Sequence, residues 1–174
     1  NSIMVRGEPV IAISNFISNH ICTRYSVPLS KLVTISRGVD LNYFNPANVS
    51  AQRIIQLSNS WRLPDGIPVI MLPGRLTRWK GHKLLIDALA DLKRQDMRCL
   101  FVGESQGSMT YKLELENLIK EKNLNNIFHF VGNCLDMPAA YMLADIVVSA
   151  STDPEAFGRI AIEAQAMGRI ILAS

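Results

Sequence analysis

An α/β fold, a Rossmann-like parallel sheet with helices on both faces, is what this sequence predicts. From residue 66 onward short apolar runs alternate with segments of helical period, and each pair has the length of a right-handed βα step. A further observation is "PGRLTRWKGHK" at residues 73 to 83, where Arg75, Arg78, Lys80, His82 and Lys83 gather as a strand gives way to a helix. A helix N-terminus already carries about half a positive charge in its unpaired N–H groups, so cations there demand an anion.

The elements follow in order. "PVIAIS" reads as a strand, "NFISNHICTRY" as a helix opened by Ser14 or Asn15, and "KLVTIS" as a second strand. "RGVDLNYFNPAN", with Gly38, Pro46 and three Asn, has the composition of a connection. A helix near 50 to 61 then runs to Trp61 and a Pro-Asp-Gly turn. "IPVIML" is a strand stopped by Pro73 and Gly74, and the helix after the basic loop sets Leu84, Leu85, Ala88, Leu89 and Leu92 on one face. Next come the strand "RCLFVG", a helix with Tyr111, Leu115, Leu118 and Ile119 inward, and the strand "NIFHFV". A short helix near "MPAAYML", the strand "DIVVSA", a helix near "GRIAIEAQAM" and the strand "RIILAS" complete the series.

Two strands and a helix are too few for a domain, so residues 1 to 36 are expected to be the tail of a missing N-terminal domain. Residues 37 to 65 are then the interdomain connection with its first helix, and 66 to 174 the ligand-binding domain. "IILAS" halts where an α/β chain continues into a loop and helix, so this domain is expected to be incomplete at its C-terminus. Strand edges left bare by the cut are expected either to be mobile or to be covered by a second copy of the chain, which would self-associate.

Composition excludes several classes. A chain of 174 residues with 48% hydrophobic and 19% charged content suits an ordered globular domain. The surplus of +3, from 18 basic and 15 acidic side chains, is too small to indicate a nucleic-acid partner. No run approaches the roughly 18 apolar residues of a membrane-spanning helix, and "NSIMVRGEPVIAIS" lacks the features of a signal peptide, so a cytoplasmic location is expected. Cys22, Cys99 and Cys134 have no metal-ligand spacing and read as reduced, mostly buried thiols. No Asp-x-Asp pair occurs, and no metal is expected.

In open α/β sheets ligands bind beyond the carboxyl ends of the strands. The loop at 74 to 82, "GNCLDMP" and "STDPEAFGR" all land there. Phe157 and Gly158 open a helix whose free N–H groups can hold an anion, and the glycine lets it come close. With Arg75 as a planar fork and Lys80 as a point charge, these groups make a diphosphate site without metal; the plain alternative is a solvated basic loop. His82 reads as a surface or capping histidine. "GESQG" at 103 to 107 lacks the third glycine of the dinucleotide fingerprint and its acidic ribose partner, which argues against nicotinamide.

Glu155 stands just before the last helix, and Glu163 lies two turns inside it among Ile160, Ala161, Ala164 and Met167. Structural roles are open to both: Glu155 on the helix dipole, Glu163 paired with Arg159. Yet Arg before Glu is the weaker order for a helical pair, and a buried acid needs hydrogen-bonding partners, which vicinal ribose hydroxyls would supply.

"PGRLTRWKG", "VG" at 131 to 132 and "PEAFGRIAIEAQAMGRIILAS" together resemble the retaining glycosyltransferases of the GT-B fold with an E-x7-E motif, of the group 1, family 4 type. "GVDLNYF" at 38 to 44 resembles the stretch where that family's chain enters its C-terminal domain. The similarity runs from "VIAISNFIS" to the last residue, and "GRLTRWKG" with "DMPAAYMLAD" looks most like bacterial enzymes that build lipopolysaccharide or exopolysaccharide.

The resemblance implies a C-terminal donor-binding domain, truncated at both ends, whose acceptor domain precedes it. It implies that Arg75 and Lys80 hold the diphosphate and take up charge on the leaving group. Glu155 would lie near the donor sugar's hydroxyls and Glu163 would hold the ribose. Gly74, Val131, Cys134, Phe157 and Gly158 would contact the nucleotide sugar, Cys134 following the Val131 to Gly132 stretch beside the base. The implied reaction is hexosyl transfer from a nucleotide-diphosphate sugar to a glycan or glycolipid acceptor, without cofactor, at the inner face of the membrane, with peripheral contact through the missing domain. This chain alone is expected to bind nucleotide without turnover. "SRGVD" departs from the family's "PNGVD", and the chain stops before the family's Gly-Gly loop. A nucleotide-sugar 2-epimerase of the same architecture, which needs an acid and a base at the sugar, and a non-catalytic nucleotide-binding module are the rival readings.

Overall fold

The computed structural model describes residues 3–105 and 109–174; residues 106 to 108, and with them the end of "GESQG", lie outside the described residues. Strands β1 (Val10–Ala12) and β2 (Leu32–Thr34) are parallel and joined by helix α1 (Asn15–Tyr25). Ser14 starts that helix by accepting a hydrogen bond from the Ile17 N–H. These strands form a separate two-stranded sheet on which Ile11 and Val33 remain exposed. Helix α2 (Ala51–Ser60), capped by Ser50, closes the connection.

The remaining elements are β3 (Val69–Pro73), α3 (His82–Leu92), β4 (Arg98–Val102), α4 (Met109–Glu121), β5 (Phe128–Gly132), α5 (Met137–Leu143), β6 (Ile146–Ser149), α6 (Arg159–Ala166) and β7 (Ile170–Ala173). Their strands make one parallel sheet in the order β5-β4-β3-β6-β7. The chain therefore works outward from β3 to one edge, then returns to lay β6 on the other side of β3. The loops leaving β3 and β6 come together at this switch point and wall a crevice beyond the strand ends.

Neighbouring strand residues point to opposite faces, and the core divides accordingly. Leu72 and Phe101 meet Leu85, Ile86, Leu89 and Leu115 from α3 and α4. Met71 and Leu100 meet Tyr141, Ala164 and Met167 from α5 and α6, with Leu57 of α2 packed alongside. Helices thus cover both faces, the layering expected of the sequence.

The inward face of α3 differs from the expected one. Leu84 and Leu92 are 52% and 56% exposed, whereas His82, Leu85, Ile86 and Leu89 are buried. Steps of four residues alone follow Leu84, Ala88 and Leu92 around the outside; the true stripe mixes steps of three and four and includes a histidine that residue type had set aside. The thiols also differ: Cys99 is buried, but Cys22 and Cys134 are only partly so.

His82 is fully buried, edge-on to Phe101 at 4.9 Å and to Tyr111 at 6.0 Å. It is a core residue, contrary to the surface or capping role expected. Neither ring nitrogen has a well-placed hydrogen-bond partner. Burial pushes the imidazole down to about 4; the Thr77 carbonyl opposes part of the shift and the Lys80 charge adds to it.

An unfolded histidine protonates below about 6.5, while His82 stays neutral in the fold until about 4. The unfolded chain binds more protons in this window, so stability is full above pH 6.5 and falls as pH drops towards 4. The loss reaches about 2 kcal/mol at pH 5 and about 3 kcal/mol at pH 4. Urea midpoints at pH 7 and pH 5 test this: His82→Leu is expected to remove most of the difference. His129, which burial also lowers, contributes to the remainder.

Candidate functional site

The loop after β3 is fastened on both sides of the switch point. Towards β4, the Gly74 N–H donates to the Val102 carbonyl at 2.8 Å and the Leu76 N–H to the Glu104 carbonyl at 3.1 Å. Towards β6, the Thr152 N–H donates to the Trp79 carbonyl at 2.8 Å. Between them Gly81 turns left-handed with φ of 74°, and a Cβ there would stand 1.7 Å from the Ala150 carbonyl oxygen. Only glycine allows that crossing.

This path sorts the basic cluster. Arg78 leaves the crevice and pairs with Glu114 of α4 at 2.6 Å, its guanidinium 5.0 Å from the Tyr111 ring centre. Lys83 lines the same outer groove between α3 and α4, and His82 enters the core. Arg75 and Lys80 remain on the crevice. Lys80, with a side chain 13% exposed, pairs with Glu155 at 2.5 Å and lies 4.1 Å from the Trp79 ring centre. The Ser151 hydroxyl donates to the same Glu155 oxygen at 3.3 Å. The anions that the cations demand are in part the protein's own carboxylates, Glu114 and Glu155.

After β6 the chain passes Glu155 and Phe157 to Gly158, which has φ of 70° and caps α6 with no side-chain hydrogen bond. Just over one turn along, Glu163 is 7% exposed. The Tyr141 hydroxyl donates to its Oε2 at 2.8 Å, and Arg159 pairs with its Oε1 at 2.8 Å. The Arg159 pairing that the sequence order disfavours is therefore formed, and Tyr141 supplies the hydrogen bond for which ribose hydroxyls were invoked. Burial, reinforced by the Glu163 charge, raises the Tyr141 phenol well above its ordinary range and keeps it a donor.

On the remaining side, Asp136 caps α5 by accepting from the Ala139 N–H at 3.1 Å. It also takes both ends of the Arg53 fork, at 2.9 and 2.6 Å. That guanidinium holds the Asp136 carboxyl below the usual carboxylate range. Cys134, two residues earlier, has its thiol raised by burial.

A cleft of about 430 Å³ joins Gly74 and Arg75 to Cys134, Tyr141 and Glu163. A second, of about 440 Å³, joins Gly74, Arg75 and Lys80 to Glu155, Phe157 and Gly158. They share Gly74, Arg75 and Ile160 and so meet at the end of β3. A third space of about 720 Å³ continues from Glu163 past Arg159 to Asp40 and Tyr43. Every sequence-nominated residue lines the first two clefts except Val131, whose side chain packs against the core. Sequence reasoning missed Tyr141 and Arg37. A lone tyrosine among the small apolar residues of α5 needs a partner for its hydroxyl, and that was its signal. Arg37, which lines the second and third spaces, sits in the "SRGVD" departure. Among the described residues no group of three or more His, Cys, Asp or Glu is placed to hold a metal ion. No described helix is long and apolar enough to cross a membrane.

A parallel sheet with its crevice at the switch point, walled by a basic loop and a glycine-capped helix, defines a ligand-binding α/β domain of the GT-B kind. The chain belongs to the group 1 glycosyl transferases, whose family profile matches residues 54–174. It is similar to a glycosyltransferase from Rickettsia africae, with 39% identity and a TM-score of 0.91, covering 99% of this chain and 46% of that one. It is also similar to Anabaena HepE, solved in complex with UDP and glucose, with 30% identity and a TM-score of 0.86 over 96% of this chain and 44% of that one. A D-inositol 3-phosphate glycosyltransferase of Corynebacterium aurimucosum is 29% identical over 86% of this chain and 36% of its own length. The chain spans less than half the length of these relatives.

Because the basic loop can cross β6 only through Gly81, Gly81→Ala should lose at least about 2 kcal/mol of stability and displace Lys80. A denaturation midpoint and the intensity of Trp79 fluorescence, which senses the ammonium beside it, check both effects. A variant with unchanged midpoint and emission contradicts the crossing.

Proposed function

We propose that this chain is the donor-binding part of a metal-independent, retaining glycosyltransferase, which moves a hexose from a nucleotide-diphosphate sugar to a glycan or glycolipid in bacterial lipopolysaccharide or exopolysaccharide synthesis. The observation that carries this reading is the pair of clefts meeting at Gly74 and Arg75. One leads to a carboxylate and a thiol-bearing loop, the other to Lys80 and the open end of α6. A bent, three-part ligand suits that space: nucleoside towards Cys134 and Glu163, diphosphate at Arg75 and Lys80, sugar beside Glu155, Phe157 and Gly158. The Anabaena relative's complexes with UDP and with UDP-glucose support such a ligand.

In this reading catalysis rests on charge placed in advance. Arg75 and Lys80 take up the negative charge that grows on the departing diphosphate, and the N–H groups at the start of α6 add to it. The acceptor attacks the face of the sugar that the diphosphate leaves, which retains configuration. Most of the acceptor site belongs to the other half of the enzyme. Residues 1 to 36 belong with that half, whose strands would cover the exposed Ile11 and Val33.

Arg75→Ala combined with Lys80→Ala is expected to weaken nucleoside diphosphate binding by about 2 to 5 kcal/mol. Calorimetry with UDP, GDP and ADP measures it, and unchanged binding refutes the site. With two protein cations facing the diphosphate, binding should also survive a chelator. Loss of affinity during an EDTA titration, restored by Mg²⁺, would replace this scheme with a metal-bridged one.

A further inference from the structure

We propose that Glu155 sets the preference of the site for the sugar nucleotide over the free nucleoside diphosphate, by repelling a doubly charged terminal phosphate at Lys80 and accepting hydrogen bonds from a hydroxylated ring; this rests on the donor-binding reading above. Lys80 and Glu155 arise from opposite sides of the switch point and meet at 2.5 Å, with exposures of only 13% and 25%. Ser151 and Trp79 fix the two ends of the pair, and the Trp79 carbonyl is itself tied to the Thr152 N–H. The carboxylate and the ammonium line one cleft with Gly158. Any phosphate that reaches Lys80 therefore comes close to Glu155 as well.

The two ligands differ at that point. The terminal phosphate of a free nucleoside diphosphate is substituted only through its anhydride oxygen and carries close to two negative charges at neutral pH, because its second pKa is about 6. In the sugar nucleotide the same phosphorus carries a sugar ester beside its anhydride link and keeps one charge. The next group is a neutral ring whose hydroxyls can donate to a carboxylate. Glu155 thus repels the product more strongly than the donor and offers the donor an acceptor that the product cannot use. A partly buried pair feels this difference with little screening by salt. The same arrangement speeds departure of the spent nucleotide.

The test is calorimetry on the full-length protein with UDP, GDP or ADP, whichever binds best, with its glucose ester, and with its monophosphate, which lacks the terminal phosphate. Glu155→Gln keeps the size of the side chain and removes its charge. The variant is expected to bind the diphosphate about tenfold tighter, the glucose ester no tighter, and the monophosphate unchanged. An unaltered ratio of diphosphate to glucose-ester affinity, or weaker diphosphate binding, overturns the proposal. Loss of monophosphate binding also overturns it, since the pair would then be a brace for the fold. A wild-type protein that binds none of the three diphosphates fails earlier, at the donor-binding reading itself.

Discussion

Two backbones touch where the basic loop crosses the end of β6, and the crevice depends on that contact. Gly81 has no Cβ to hold the Ala150 carbonyl away. The loop can therefore fold across the switch point instead of continuing outward from β3, and the Thr152 to Trp79 hydrogen bond keeps it there. Lys80 is delivered to Glu155 by this path alone, because the two are 75 residues apart in sequence. A wider turn would leave the ammonium in water, where an ion pair contributes little.

The same loop anchors its far end by burying a histidine. His82 fills space against Phe101 and Tyr111 that an aliphatic side chain could also occupy, yet its ring nitrogens lack well-placed partners. Desolvation keeps it uncharged. A neutral core residue two positions after Lys80 means that the cation stands beside apolar packing and not beside a second positive charge. The local field is set by the ammonium and its carboxylate.

The layered fold was legible because alternating apolar runs and helical periods report burial directly, and every strand fell on an expected segment, with β3 and β5 each running one residue further, to Pro73 and Gly132. Helix faces were less legible. In α3 the leucines at 84 and 92 outweighed a histidine in the reading, although the histidine is the buried residue. At the site, loops at strand ends could be assigned to one edge of the sheet from topology alone, which brought Arg75, Lys80, Glu155 and Glu163 into view. What they bond to was not legible. Pairing between Lys80 and Glu155 or between Tyr141 and Glu163 depends on distances set by tertiary packing, and nothing local in the sequence encodes those distances. Val131, nominated through the family resemblance, packs its side chain against the core, an orientation that the resemblance did not report.

Arg53 belongs to α2, the first helix after the connection, and its guanidinium grips the carboxylate that starts α5. Leu57 and Met137 pack against one core cluster and stiffen the same joint. The planar two-point grip ties α2 to the loop that carries Cys134. The wall of the cleft that carries Cys134 thus takes its position from the segment that leads into the domain.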